Sequence, residues 1–186
     1  MVNTPIRMKK ERYKSLQDFV NNYDLSTIDE KSLLIFDIDG VFFKGLFDPR
    51  EIIGIINMEN INAFEKVLSS MAACWIFTNR LSIFKYFPFI KQISKSIKKV
   101  TGITPPIYSN CSDFLEARSQ KYSIILNAKK PSAESQKVVE EGTSNFKRVI
   151  YVSARDNPFY YTDQQLVTKL GKKLNLAKLS FIEIDH

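Results

Sequence analysis

Leu33-Leu34-Ile35-Phe36-Asp37-Ile38-Asp39-Gly40-Val41-Phe42-Phe43-Lys44-Gly45 decides how this chain is read: an apolar run stops at two carboxylates one residue apart, followed by a glycine. A short apolar run bounded by a turn signal reads as a strand buried on both faces, as in a parallel sheet. Asp37 and Asp39 then stand at its carboxyl end, where open α/β sheets bind their ligands. If the strand continues, the two carboxylates point the same way and crowd their charges into one space. That arrangement requires a cation, a proton or a different backbone path at Asp39. Asp-Ile-Asp-Gly is equally an ordinary polar turn, so the rest of the chain has to decide.

Working outward, Ala73 to Phe77 repeats the pattern and ends in Thr78-Asn79-Arg80. Arg148 to Val152 repeats it again, running into Ser153-Ala154-Arg155-Asp156-Asn157-Pro158, and Leu179 to Ile184 makes a last strand. Ile107-Tyr108 and Tyr122 to Leu126 predict shorter strands. Helices are expected over Ile61 to Ser70, from Pro88 to about Val100, over Asp113 to Gln120, from Pro131 to Glu141, and from Asp163, as a cap, to Leu170. The alternation predicts an α/β fold: a doubly wound parallel sheet with helices on both faces. Residues 1–30 read as a helical leader packed on that sheet, with Tyr13, Leu16, Phe19, Val20 and Tyr23 on one helix face. Residues 31–186 read as one α/β domain.

A chain of 186 residues, 44% of them hydrophobic, suits one domain with a sizeable core. No stretch approaches the roughly 18 apolar residues that span a bilayer. The basic segment Met1 to Lys14 has no apolar run behind it, so it does not read as a secretory signal; the expectation is a cytoplasmic protein with no membrane partner. Cys74 and Cys111 form no Cys-x-x-Cys pair and are read as reduced, with Cys74 in the core.

The net charge of +7 raises nucleic acid as a partner. The basic residues fall into three groups: Lys9, Lys10, Arg12 and Lys14; Lys91, Lys95, Lys98 and Lys99; and Lys169, Lys172, Lys173 and Lys178. In the middle group Ile90, Ile93, Ile97 and Val100 recur at helical spacing, which puts the lysines on the solvated face. Ordinary amphipathicity is therefore favoured over a footprint for an anionic partner. His186 is the only histidine and the last residue, which excludes a Ser-His-Asp triad, a Cys-His pair and a histidine-rich zinc site within the fold. Acid–base chemistry is left to carboxylates, lysine, tyrosine or cysteine.

Three polar groups follow separate element boundaries: Asp37 and Asp39, Thr78 and Asn79, and Lys129 and Lys130. A doubly wound sheet gathers such ends into one crevice, and carboxylates, a hydroxyl and an ammonium together suit a phosphoryl group. Thr78 and Asn79 also suit a helix cap, and Lys130 a solvated lysine, with Lys129 competing for its role.

The order and spacing resemble the haloacid-dehalogenase-like (HAD) superfamily over roughly Leu33 to Ile184. Its first motif matches Asp37-Ile38-Asp39-Gly40-Val41, its second Thr78-Asn79 and its third Lys130 before Pro131. The resemblance implies a magnesium-dependent phosphatase rather than a dehalogenase, because a second aspartate stands at position 39. Asp37 would attack phosphorus to give an aspartyl-phosphate. Asp39 would protonate the leaving oxygen and then take a proton from water. Thr78 and Asn79 would hold phosphate oxygens, Lys130 would balance charge, and Mg2+ would be held by Asp37 and the Asp39 carbonyl. The fourth motif departs: Ser153-Ala154 stand where the family places an acidic residue. Asp156, two residues on, would then reach the metal through a shifted loop or a water, or the metal site is weakened. Two unit charges about 4 Å apart interact by about 4 kcal/mol at an effective dielectric near 20, so a weakened site costs powers of ten in rate. The alternative is a catalytically impaired member that binds a phosphorylated ligand, a protein partner or nucleic acid. The intervals between Asp37, Thr78 and Lys130 are largely used by the elements already assigned. They leave no room for a large cap domain, so the site would admit a large phosphorylated substrate or be closed by another subunit of a homo-oligomer.

Overall fold

Ser32–Phe36 forms strand β2 with every residue buried, as a continuous apolar run inside a parallel sheet requires. The computed structural model of the protein describes residues 8–37, 41, 58–68, 73–78, 91, 95, 98–99, 102, 107–109, 124–125, 145–155, 160–173 and 179–185. Among them, β2 is joined by β1 (Lys9–Tyr13), β3 (Ala73–Thr78), β4 (Ile107–Ser109), β5 (Ile124–Ile125), β6 (Arg148–Ala154) and β7 (Leu179–Ile184). The strands lie in the order β1-β7-β6-β2-β3-β4-β5, and every neighbouring pair is parallel. With helices α1 (Leu16–Asn22), α2 (Met58–Leu68) and α3 (Tyr160–Lys173), the chain is an α/β protein. From β2 it moves outward through β3, β4 and β5, then returns to the opposite side of β2 to lay down β6 and β7. The strand runs read from the sequence are these strands, give or take a residue or two at their ends. The helices expected over Asp113 to Gln120 and Pro131 to Glu141, the helix start at Pro88, and Cys111 lie outside the described residues.

Alternate residues of β2 meet different helices. Leu33 and Ile35 share a cluster with Val149 and Tyr151 of β6, Phe181 of β7, and Leu166, Val167 and Leu170 of α3. Phe36 instead meets Phe64 of α2 edge to face, with ring centroids 5.1 Å apart. In α3 the apolar residues recur at helical spacing, while Gln165, Thr168 and Lys169 between them are exposed. Full burial of each such Leu, Val or Phe side chain contributes about 1.5–3 kcal/mol, so these rows hold the sheet to its helices.

The amino-terminal segment corrects one expectation. Lys9–Tyr13 is not helical; it is an edge strand paired in register with Ser180–Ile184 of β7. The helix starts only at Leu16, where Ser15, extended at φ −162° and ψ 168°, caps it by accepting a hydrogen bond from the Asp18 N–H. The Asp18 carboxylate reaches back to the Lys14 N–H at 2.8 Å. Tyr13 nevertheless reaches the apolar face assigned to it, because the chain folds back at the cap. Its ring sits edge-on to Phe19 at 5.3 Å and near Tyr23 at 6.5 Å. The Ser15-Leu16-Gln17-Asp18 capping pattern was the local signal for this boundary.

Edge strands are commonly protected from further pairing by charged side chains, and this one carries four: Lys9, Lys10, Glu11 and Arg12. Lys9 lies 2.9 Å from Glu11, Lys10 lies 2.7 Å from Glu183, and Arg12 is shared between Glu183 and Asp185 at 3.6 Å each. Lys91, Lys95, Lys98 and Lys99 are helical and exposed, as their spacing predicts. Gly102 follows them at φ 73° and donates its N–H to the Lys98 carbonyl at 2.9 Å, a left-handed ending that glycine adopts without steric cost. Among the described residues no helix is long and apolar enough to cross a membrane.

Two outcomes follow from this packing. Phe64→Ala lowers unfolding free energy by about 3–5 kcal/mol, read as a shifted urea midpoint. Cys74 is buried, and burial pushes its thiol well above the ordinary range. In a Cys111→Ser variant, an alkylating reagent therefore leaves Cys74 unlabelled in native buffer and labels it in denaturant.

Candidate functional site

Asp37 follows directly on β2, and its N–H donates to the Val152 carbonyl at 2.9 Å. Phe36 pairs with Val152, so Asp37 stands beside Ser153, about 4.8 Å away in backbone spacing. Asp37 is two residues beyond Ile35 and Ser153 two beyond Tyr151, which places both on the face packed by α3. Asp37 is 1% exposed and Ser153 fully buried. This corner of the sheet therefore presents a carboxylate and a hydroxyl side by side at the carboxyl end of β2, where the strand order reverses.

A second carboxylate comes to the same corner from α3. The sequence suggested Asp163 as a helix cap, but α3 begins at Tyr160, which puts Asp163 inside the first turn. There the positive end of the helix dipole favours an anion. Asp163 is fully buried. Its Oδ1 accepts from the Tyr151 hydroxyl at 3.0 Å and its Oδ2 from the Ser153 hydroxyl at 2.6 Å. The phenol of Tyr151 is pushed well above its ordinary range, first by burial, then by the charges of Asp163 and Asp37. The effect of Asp37 on Tyr151 ties the two carboxylates into one electrostatic neighbourhood.

The same row of the sheet continues outward. Ser153 pairs with Glu183, and Glu183 with Arg12. Glu183 is buried, and its charge is answered by Lys10 and Arg12. Buried carboxylates thus line one end of the sheet, each of which needs a positive or hydrogen-bonding partner to be tolerated.

Of the residues singled out from the sequence, Asp37 is placed at the end of the central strand, and Thr78 is the last residue of β3, the strand beside it. Asp39, Asn79, Lys130 and Asp156, with the side chain of Thr78, lie outside the described residues. Asp163 was missed as a site residue. Its signal was available: an aspartate in the first turn of a helix whose following positions are apolar faces the core, where it must find donors.

Among the described residues no three or more His, Cys, Asp or Glu side chains gather as cation ligands. What this corner offers is the Asp37 carboxylate and the Ser153 hydroxyl oxygen, whose hydrogen is already given to Asp163. These are hard oxygen acceptors. Magnesium takes oxygens of this kind, one or two of them from carboxylates, and keeps several waters.

The network predicts two measurable effects. Asp163→Ala leaves two buried hydroxyls without their acceptor and destabilises by about 3 kcal/mol or more, whereas Ser153→Ala removes one charge-assisted bond at about 1.5–3 kcal/mol; chemical denaturation separates them. Because the folded-state phenol of Tyr151 is raised, the unfolded chain loses that proton first. Its contribution is intact below about pH 10 and is lost as pH climbs further. The tyrosinate absorbance of Tyr151, taken as wild type minus Tyr151→Phe, therefore appears together with loss of circular dichroism.

Comparison of the chain with protein families, with curated proteins and with solved structures gives no match, so its functional reading rests on these side chains.

Proposed function

We propose that the protein is a magnesium-dependent phosphohydrolase of the haloacid-dehalogenase-like type, built on a doubly wound sheet without a large cap domain. The observation that supports this most is Asp37: a carboxylate buried at the carboxyl end of the central strand, at the point where the strand order reverses. A sheet binds ligands at such a point. An ionisable group buried at such a point is a candidate for the chemistry of the site.

In this reading an oxygen of Asp37 forms a bond to phosphorus while the ester P–O bond breaks, and Asp39 gives its proton to the leaving oxygen. Water then attacks the aspartyl-phosphate and loses a proton to Asp39. The bond between phosphorus and Asp37 breaks, inorganic phosphate leaves and both carboxylates return to their starting states. Thr78 and Asn79 hold non-bridging oxygens, and Lys130 offsets the charge between nucleophile and phosphoryl group. Asp37, the Asp39 carbonyl and Asp156 are the residues that would hold magnesium, which when bound lessens the repulsion between carboxylate and phosphate dianion.

A second reading is favoured by Ser153. Its hydroxyl is committed to Asp163, which ties the strand end into the core, and a protein of this fold that binds a phosphorylated ligand without turning it over would tolerate that arrangement. Release of phosphate from a generic phosphomonoester separates the two. Magnesium-dependent turnover that falls at least a thousandfold in Asp37→Asn supports the hydrolase. Equal rates in the two proteins overturn it, and thermal stabilisation by inorganic phosphate without turnover favours the binding protein.

A further inference from the structure

A cleft of about 360 Å3 lies on the side of the sheet turned away from α3, against the starts of β6 and β7. Among the described residues two charges of each sign line it: Lys9 and Glu11 of β1, Arg148 of β6, and Asp24, which with Tyr23 follows α1. Lys9 and Glu11 answer one another. The Lys9 ammonium lies 2.9 Å from Glu11 Oε1 and 5.7 Å from the centroid of the Tyr23 ring, and the Tyr13 hydroxyl donates to Glu11 Oε2 at 3.0 Å.

Arg148 and Asp24 line the same cleft without meeting. The Arg148 guanidinium is partly buried and gives one N–H to the Thr27 carbonyl at 2.6 Å; among the described residues it forms no ion pair. Asp29, whose carboxyl is held below its usual range first by the Ser32 hydroxyl and in smaller part by this cation, does not line the cleft. Thr27 in turn gives its N–H and its hydroxyl to the Asp24 carbonyl, at 3.1 and 2.7 Å. One short turn thus carries the carboxylate and anchors the guanidinium. Asp24 Oδ1 accepts from the Ser26 N–H and hydroxyl, which leaves Oδ2 for another donor.

A cleft that keeps a cation and an anion apart suits a guest that carries both. A simple anion would meet Asp24, and a simple cation Arg148, each with a like-charge cost. We infer that this cleft binds a small zwitterion of the free amino acid kind, its carboxylate on Arg148 and its ammonium on Asp24, beside the Tyr23 ring. A guanidinium with N–H groups to spare takes both oxygens of a carboxylate at once, and an ammonium has three hydrogens to give. The volume falls at the small end of ligand sites, which run to about 300–1,000 Å3. Asp37 stands on the other face, at the carboxyl end of β2, so this site is separate from the phosphoryl chemistry proposed above.

Thermal melts of the full chain in the presence of each free amino acid at millimolar concentration test this, followed by calorimetric titration of any that stabilises. The expected result is at least one amino acid that raises the melting temperature. Its N-acetyl and carboxamide derivatives, which each lack one charge, bind about tenfold or more weaker. Arg148→Gln and Asp24→Asn each weaken the free amino acid to a similar degree. Asparagine caps a helical turn as well as aspartate does, so Asp24→Asn keeps the turn and decides by itself should Arg148→Gln fail to fold. No stabilisation by any amino acid, equal binding of the two derivatives, or an affinity unmoved in Asp24→Asn overturns the inference. Phosphate release is measured separately, so the hydrolase reading stands or falls without this site.

Discussion

β2 is hydrogen-bonded on both sides, to β3 and to β6, and is buried along its length. From Leu33 to Phe36 the backbone is paired on both sides, and both faces are covered by side chains. A chain in that position can present chemistry only where it leaves the sheet. Asp37 is that place. The apolar residues before it stabilise the strand by burial, and the same burial strips water from the first polar residue after it. The candidate site is thus a consequence of where the core ends.

The polar corner around Asp37 shows how a fold supports buried charge. Asp163 arrives from the first turn of α3, where the helix dipole favours it, and two hydroxyls from β6 complete its hydrogen bonds. Glu183, one strand further out, is answered instead by cations from the edge strand. The two solutions differ in reach. Hydroxyls are short and suit a carboxylate inside the core, whereas Lys10 and Arg12 lay their stems along the sheet and keep partial contact with solvent. Lys10 also lies over the Phe181 ring, 5.8 Å from its centroid.

Three of the four basic residues in the amino-terminal group pair with carboxylates of the same protein. β1 brings these cations to the outer edge of β7, and the aromatic cluster of Tyr13, Phe19 and Tyr23 fastens strand to helix. Residues 9–13 of the segment that looked like a leader are therefore part of the sheet.

Apolar runs and their polar stops were legible in the sequence alone. Ser32–Phe36, Ala73–Thr78, Arg148–Ala154 and Leu179–Ile184 are strands because continuous apolar runs of that length have nowhere to go except between two covered faces. Asp37 was legible for the same reason, as the first residue such a strand cannot bury cheaply. Residues 9–13 were not, because a charged edge strand carries no apolar periodicity and owes its conformation to pairing with β7. Asp163 was half legible: its helix was read, but not its partners. Tyr151 and Ser153 lie at least ten residues away along the chain, and only the packing of α3 on β6 makes them neighbours. Local pattern decides which segments become strands and helices. Which polar residues meet depends on strand order and helix placement, because those contacts form between parts of the chain that carry no information about each other until the sheet assembles.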